Sequence, residues 1–208
     1  MKFLKNISAV TVFLCMCSSA SAVTIFSDDF NRADSNTVGN GWNEIEDDNN
    51  DVAIKNNSLM LRDNRSWFFF DLIDAVASHS ASTTGYQDIF LDFDWKASDD
   101  TESSDKLYVS WTNTADPLNG LFSWDTIFSA DLGGSSFESV SVGEIVGANN
   151  LADFKFAFWT DVSHWSEYAA IDNVVLRGTP TSVSNPSSIA LLGLGLMGLG
   201  LASRKKAA

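Results

Sequence analysis

The clearest signal in the chain is strict alternation of apolar and polar positions. In Ile89–Lys96, Leu91, Phe93 and Trp95 alternate with Asp92, Asp94 and Lys96. In Lys106–Thr112, Leu107, Val109 and Trp111 alternate with Tyr108, Ser110 and Thr112. In Phe154–Thr160, Phe154, Phe156 and Phe158 alternate with Lys155, Ala157 and Trp159. Successive side chains of a strand point to opposite faces, so each run predicts a strand with one buried and one wet face, the habit of antiparallel sheets. Less regular segments at Val23–Phe26, Val52–Lys55, Ser58–Leu61, Trp67–Leu72 and Tyr168–Leu176 predict further strands. Polar loops such as Gly39–Asn43 and Gly133–Ser136 separate them. No window in 23–178 keeps a helical period. The expectation is a single all-β sandwich over 23–178.

The two ends follow other rules. Lys2 and Lys5 precede an apolar run, Ile7–Met16, and Ala20-Ser21-Ala22 supplies small residues for cleavage after Ala22. Residues 1–22 therefore read as a secretory signal peptide, to be removed by signal peptidase. Leu14 and Met16, not small residues, precede Cys15 and Cys17, which argues against a lipidated cysteine. After cleavage no cysteine would remain. Residues 187–203 carry no charge, and Arg204-Lys205-Lys206 follows. That pattern predicts a short transmembrane helix over 187–208, its basic end held in the cytoplasm. Residues 179–186 read as a spacer. Gly193, Gly195 and Gly198 fit a dinucleotide-binding fingerprint, but too little chain follows for a βαβ unit.

Charge changes the picture once it is placed. The chain carries −14, but all 27 acidic residues lie between Asp28 and Asp172. With 8 basic residues, segment 23–178 carries −19. Such a domain repels nucleic acid and favours cations such as calcium. Two cysteines build neither a disulfide framework nor a four-thiolate zinc site.

Two resemblances sharpen this. Val183-Ser184-Asn185-Pro186, the Gly/Leu-rich run and Arg204-Lys205-Lys206 resemble a PEP-CTERM sorting signal. In its box Ser184 and Asn185 replace the first Pro and the Glu, and Pro186 remains. The resemblance implies sorting by an exosortase in an exopolysaccharide-making Gram-negative bacterium. The chain would be held transiently at the inner membrane, then placed at the cell surface or outside it. Separately, Phe26-Ser-Asp-Asp-Phe-Asn-Arg-Ala-Asp34 with Gly39-Asn-Gly-Trp42 is similar to the opening of concanavalin-like jelly rolls. Ala170-Ile-Asp-Asn-Val-Val-Leu176 is similar to their closing strand. That resemblance implies a jelly-roll β-sandwich of two antiparallel sheets whose first and last strands pair. It also implies a structural Ca2+ held by Asp29 and Asp172, since hard oxygen ligands suit calcium.

Candidate chemistry follows from side chains in unusual places. Tyr108 and Trp159 fall on the wet faces of their strands. An exposed ring beside carboxylates and hydroxyls is the make-up of a sugar platform, with Asp92, Asp94 and Ser110 as hydroxyl partners. Trp124 and Trp165, in loops, are placed either to flank it or to cap the core, while Trp95 and Trp111 read as core. Asp92 and Asp94 also make a carboxylate pair of the kind glycosidases use. The glucanase pattern has glutamates here and this strand has none, and Lys96 is placed to pair with Asp94. Asp47–Asp51 begins like a calcium loop but lacks the glycine and glutamate that complete one, so it reads as a solvated acidic loop. His79 and His164 read as loop or strand-edge residues. The expected function is an exported, non-enzymatic surface or matrix protein that binds carbohydrate or associates with exopolysaccharide. The alternatives are a glycan-active hydrolase or lyase, or a purely structural matrix protein.

Overall fold

The computed structural model describes residues 21–46, 48–62, 75–102, 104–114, 124–162, 164, 166–181 and 193–196. The described strands are β1 (Val23–Asp28), β2 (Trp42–Glu46), β3 (Val52–Lys55), β4 (Ser58–Arg62), β5 (Ala75–Ala81), β6 (Tyr86–Ala97), β7 (Lys106–Thr112), β8 (Asp125–Asp131), β9 (Glu138–Val142), β10 (Phe154–Asp161) and β11 (Tyr168–Pro180). They form two antiparallel sheets. One has the order β3-β4-β11-β6-β9 with β1 also on β11; the other has the order β2-β5-β10-β7-β8. The pairs β7–β8, β6–β9, β5–β10 and β4–β11 are nested, like one long hairpin with its tip at β7–β8. Successive pairs fall in alternate sheets, which is the winding of a jelly roll.

Side chains on the inner faces fill the space between the sheets. Leu91, Phe93 and Trp95 of β6 oppose Leu107 and Val109 of β7 and Phe154, Phe156 and Phe158 of β10, all buried. Phe93 meets Phe158 edge-on, with centroids 5.0 Å apart. Such T-shaped contacts add to the area term because ring edges and faces carry opposite partial charge. The β3–β4 hairpin turns on Asn56 and Asn57, at φ 51° and 59°. A two-residue turn that matches strand twist needs positive φ at both positions, and asparagine tolerates it.

One carboxylate ties the sheets together at the start of the roll. Asp28 ends β1 in the six-stranded sheet. Its Oδ1 accepts the Phe30 N–H at 2.9 Å and Arg32 Nη1 at 2.7 Å. Its Oδ2 accepts Arg32 Nη2, Asn40 Nδ2 and, at 2.9 Å, Trp42 Nε1 from β2 in the other sheet. Burial pushes this carboxyl up, but the bonds from Arg32, Asn40, Phe30 and Trp42 outweigh it and hold the group at about 2. Phe30, at φ 47°, occupies a left-handed conformation rare for a bulky residue. Its N–H bond to Asp28 and its fully buried ring hold it there.

Several expectations need revision. β2, β5, β8 and β9 were not expected as strands. The closing strand runs on to Pro180, and Thr181 donates its N–H to the Gly85 carbonyl at 2.9 Å, so residues 179–181 belong with the sheet rather than to a spacer. His79 is no loop residue: it sits in β5, its ring stacked 3.8 Å from the Phe26 centroid. Asp51 is fully buried, and its carboxylate accepts the Asp48 N–H, so that acidic loop is not simply solvated. Trp67–Leu72, the segment 1–20 and the sorting-signal residues Asn185, Pro186, Arg204, Lys205 and Lys206 lie outside the described residues. Of the expected membrane helix only Gly193–Leu196 are described, and these four are helical. Among the described residues no helix is long and apolar enough to cross a membrane.

Replacing Asp28 by alanine leaves the half-buried Arg32 guanidinium and the buried Trp42 indole N–H without their acceptor, and is expected to cost about 3 kcal/mol at neutral pH. The folded carboxyl lies at about 2 against an unfolded value of 3.8. Its stabilisation is therefore complete above that unfolded value and fades as pH falls towards the folded one. Urea unfolding of both proteins across that range should show the gap narrowing with acid.

Candidate functional site

The register of the five-stranded sheet sorts its outer side chains into rows across the strands. One row runs Ile45, Val76, Trp159, Tyr108 and Ser129. The next runs Asn43, Ser78, Ala157, Ser110 and Thr126. A third places Lys155 between Ser80 and Thr112. An apolar and aromatic row thus lies beside rows rich in hydroxyls, all facing away from the core. Directly opposed residues on neighbouring strands are close enough for their rings to meet. Tyr108 and Trp159 do so: their centroids are 4.0 Å apart and their planes 12° from parallel. Both rings are half-buried. Trp159 donates Nε1–H to Ser110 Oγ at 3.1 Å, which fixes its orientation.

Part of this face is covered. Trp124 packs on Val76 and Ala157, with Ile45 and Trp159 at the margin. Val76, Ala157 and Ser110 have no exposed surface. Ser110 therefore corrects an expectation: its hydroxyl meets Trp159 and, at 3.3 Å, Thr126, so it positions the indole rather than facing a ligand. Trp124 does flank the aromatic row, whereas Trp165 lies outside the described residues.

The expected carboxylate partners are elsewhere. Asp92 and Asp94 lie on β6, on the outer face of the six-stranded sheet, with the whole core between them and Tyr108. They join no site with Trp159, because they and the rings point outward from opposite sheets. Asp92 is ion-paired with Arg177 and accepts the Ser141 hydroxyl. Burial pushes its carboxyl up, but those partners win and hold it below the usual range. Asp94 accepts the Ser139 hydroxyl and, at 2.8 Å, the Asn173 amide. Lys96 does not take it; its Nζ stands 4.7 Å from the centroid of the Phe137 ring.

Asp29 and Asp172 come to one region, where β1 pairs with β11. A cleft of about 340 Å3 there is lined by Asp28, Asp29, Arg32, Asn40 and Asn173, among others. Asp29 accepts the Asn31 N–H at 3.1 Å, and Asp172 accepts the Asn173 N–H at 2.7 Å. Burial raises the Asp172 carboxyl, and the charges of Asp94, Asp29 and Asp28 raise it further. Asp28, next in sequence to the residue singled out, carries the densest bonding and spends both oxygens on the protein itself. Among the described residues the three carboxylates that converge most closely are a different set, Glu102, Asp105 and Glu167, with oxygens within 4.8 Å. Burial pushes the Asp105 carboxyl up, and Asp105 Oδ2 accepts the Glu102 N–H.

Fold and site together define a jelly-roll β-sandwich with an aromatic row on the outside of its five-stranded sheet. No family model matches the chain, and no curated protein does. Solved structures do. The K3 cleaved adhesin domain of Lys-gingipain from Porphyromonas gingivalis W83 is similar at TM-score 0.53 and 13% identity, over 74% of this chain and 99% of that one. A family 4 carbohydrate-binding module gives 0.48 at 12% identity, over 74% and 97%. The CBM22-1 xylan-binding domain of Paenibacillus barcinonensis Xyn10C gives 0.47 at 9%, over 79% and 100%. At these identities the likeness to the adhesin domain shows a shared fold.

Proposed function

We propose that the protein is an exported carbohydrate-binding protein of a Gram-negative cell surface or matrix, and that it associates with exopolysaccharide. The observation that carries this reading is the stacked, half-exposed Tyr108–Trp159 pair beside rows of hydroxyl side chains. Aromatic rings stack on the apolar C–H faces of sugars, and neighbouring hydroxyls satisfy the sugar's own. Export rests on the leader ending at Ala22, just before β1 begins at Val23, so its removal takes nothing from the described sheets. Sorting by an exosortase, with passage through an inner-membrane anchor, rests on the resemblance of residues 183–206. The burial of Ser110, Ala157 and Val76 favours a second reading, in which the aromatic row is packing in a purely structural matrix protein. For a hydrolase or lyase no observation speaks as directly, since Asp92 and Asp94 are committed to neighbours on their own sheet. The proposal includes a Ca2+ ion at Asp29 and Asp172, which the pairing of β1 with β11 brings to one region.

Three outcomes are expected. On an array of neutral polysaccharides the protein binds, and Trp159→Ala and Tyr108→Ala each weaken binding by about 1–3 kcal/mol, the scale of burying one large ring. A wild-type protein that retains no polysaccharide would leave the structural reading standing. Mass spectrometry of the extracellular form finds Val23 at its N-terminus and lacks Arg204-Lys205-Lys206; an intact basic end in that fraction contradicts exosortase processing. Millimolar Ca2+ raises the melting temperature over a chelator control, through preferential binding to the folded state, and Asp172→Asn abolishes the rise. An unchanged midpoint counts against calcium.

A further inference from the structure

A second concavity lies on the other sheet. Its floor is a cross-strand row in which Met60 of β4 and Lys96 of β6 flank Ala170 of β11. The small side chain at the centre leaves a trough of about 270 Å3, walled by Lys55, Arg62 and Tyr168. Three of the eight basic residues of segment 23–178 thus meet in one place, within a segment that carries −19.

The partners of these cations differ from those of the other described basic residues, Lys155 excepted, which donates to the Thr114 carbonyl oxygen at 2.9 Å. Arg32 is ion-paired with Asp28, Lys106 with Asp131 and Arg177 with Asp92. In the trough, Arg62 instead donates Nε to the Asn50 carbonyl oxygen at 3.1 Å and Nη2 to the Asn50 side-chain oxygen. A neutral partner uses two of the guanidinium's five N–H donors and fixes its plane without cancelling its charge. Lys96 lies over the Phe137 ring. Lys55 stands 3.9 Å from Asp34, with both side chains at least a third exposed, so that pairing is weak in water. Asp94 and Asp172 begin the neighbouring row; the partners of Asp94, Ser139 and Asn173, are neutral and fix its orientation without cancelling its charge. Among the described residues, three cations and no carboxylate line the trough itself.

The rest of the lining is that of a sugar site. Tyr168 offers a half-buried ring, Met60 and Ala170 an apolar floor, and Asn56 an exposed amide at the rim. Bare phosphate or sulfate would have no use for the ring and the floor. We propose that this trough binds a carboxylated sugar, as in a uronate-containing polysaccharide. The carboxylate meets Lys55, Arg62 and Lys96, and the sugar ring lies along Tyr168 and Met60. The site is independent of the Tyr108–Trp159 row, which faces out from the other sheet.

Isothermal titration of the full chain with a galacturonate oligomer, and with the same oligomer reduced at its carboxyls, tests this. The acidic oligomer is expected to bind about tenfold or more tightly than the reduced one. A Lys55→Gln/Lys96→Gln double variant loses that preference, while Trp159→Ala keeps it. Absence of oligogalacturonate binding, equal binding of both oligomers, or an unaltered double variant would overturn the proposal. Loss in Trp159→Ala alone would move uronate binding to the other sheet and overturn the trough. Displacement by sodium sulfate at concentrations matching the oligomer would reduce the trough to a simple anion site and overturn the sugar assignment.

Discussion

The buried carboxylate of Asp28 is the constraint on which the opening of this fold depends. It ends the first strand of one sheet and accepts the indole N–H of Trp42, which begins the first strand of the other. The same two oxygens hold Arg32, Asn40 and the strained backbone of Phe30. Removing the group from water is costly, so the arrangement persists only because five donors converge on it. Trp42 is in turn packed against Phe30, Phe156 and Phe158, and His79 stacks on Phe26 beside it. A polar knot and an aromatic cluster thus stabilise each other where the two sheets begin. Burial lowers the pKa of His79, against the pull of Asp28 and the Asn40 backbone, and so favours the neutral ring in the cluster.

With both sheets anchored, each outer surface is free to differ. The five-stranded sheet carries aromatic and hydroxyl rows; the six-stranded sheet carries ion pairs and a basic trough. The cross-strand register builds both, because a position two residues along one strand faces the same way as its partner on the next. An acidic domain with a local basic trough also separates two functions of charge. The net −19 keeps the domain soluble and discourages polyanions at large, whereas the trough acts only at contact range, inside the screening length of physiological salt.

Particular elements show where sequence reading succeeds and where it stops. β6, β7 and β10 were legible because they sit inside their sheets, with large apolar residues at every second position. Of the strands not foreseen, β2, β8 and β9 are sheet edges with polar sequences such as ESVSV. An edge strand packs against less of the core and needs fewer large side chains, so its alternation is faint. β5 is central, but its AVASHSA sequence carries small residues, so no large apolar side chains mark its alternation. In the site, the polar-face positions of Tyr108 and Trp159 marked them out. The place of Trp124, seated from a loop onto Val76 and Ala157, carries no periodic signal.

The amino-acid order alone therefore determined the all-β class, the residues of the inner faces and the segregation of charge into the middle of the chain. These follow from period-two alternation and composition, which are local properties. Which outer face met which residue was decided only by the roll. Asp92 and Trp159 both alternate away from the core, but a strand's wet face does not reveal which sheet it belongs to. Pairing β6 with β11 and β10 with β7 sent the two to opposite sides of the sandwich. The same pairing brought Lys96 across Ala170 to Met60, beside Lys55 and Arg62. Lys96 and Ala170 lie tens of residues along the chain from Lys55, Met60 and Arg62, and hydrogen bonding between strands brings them together.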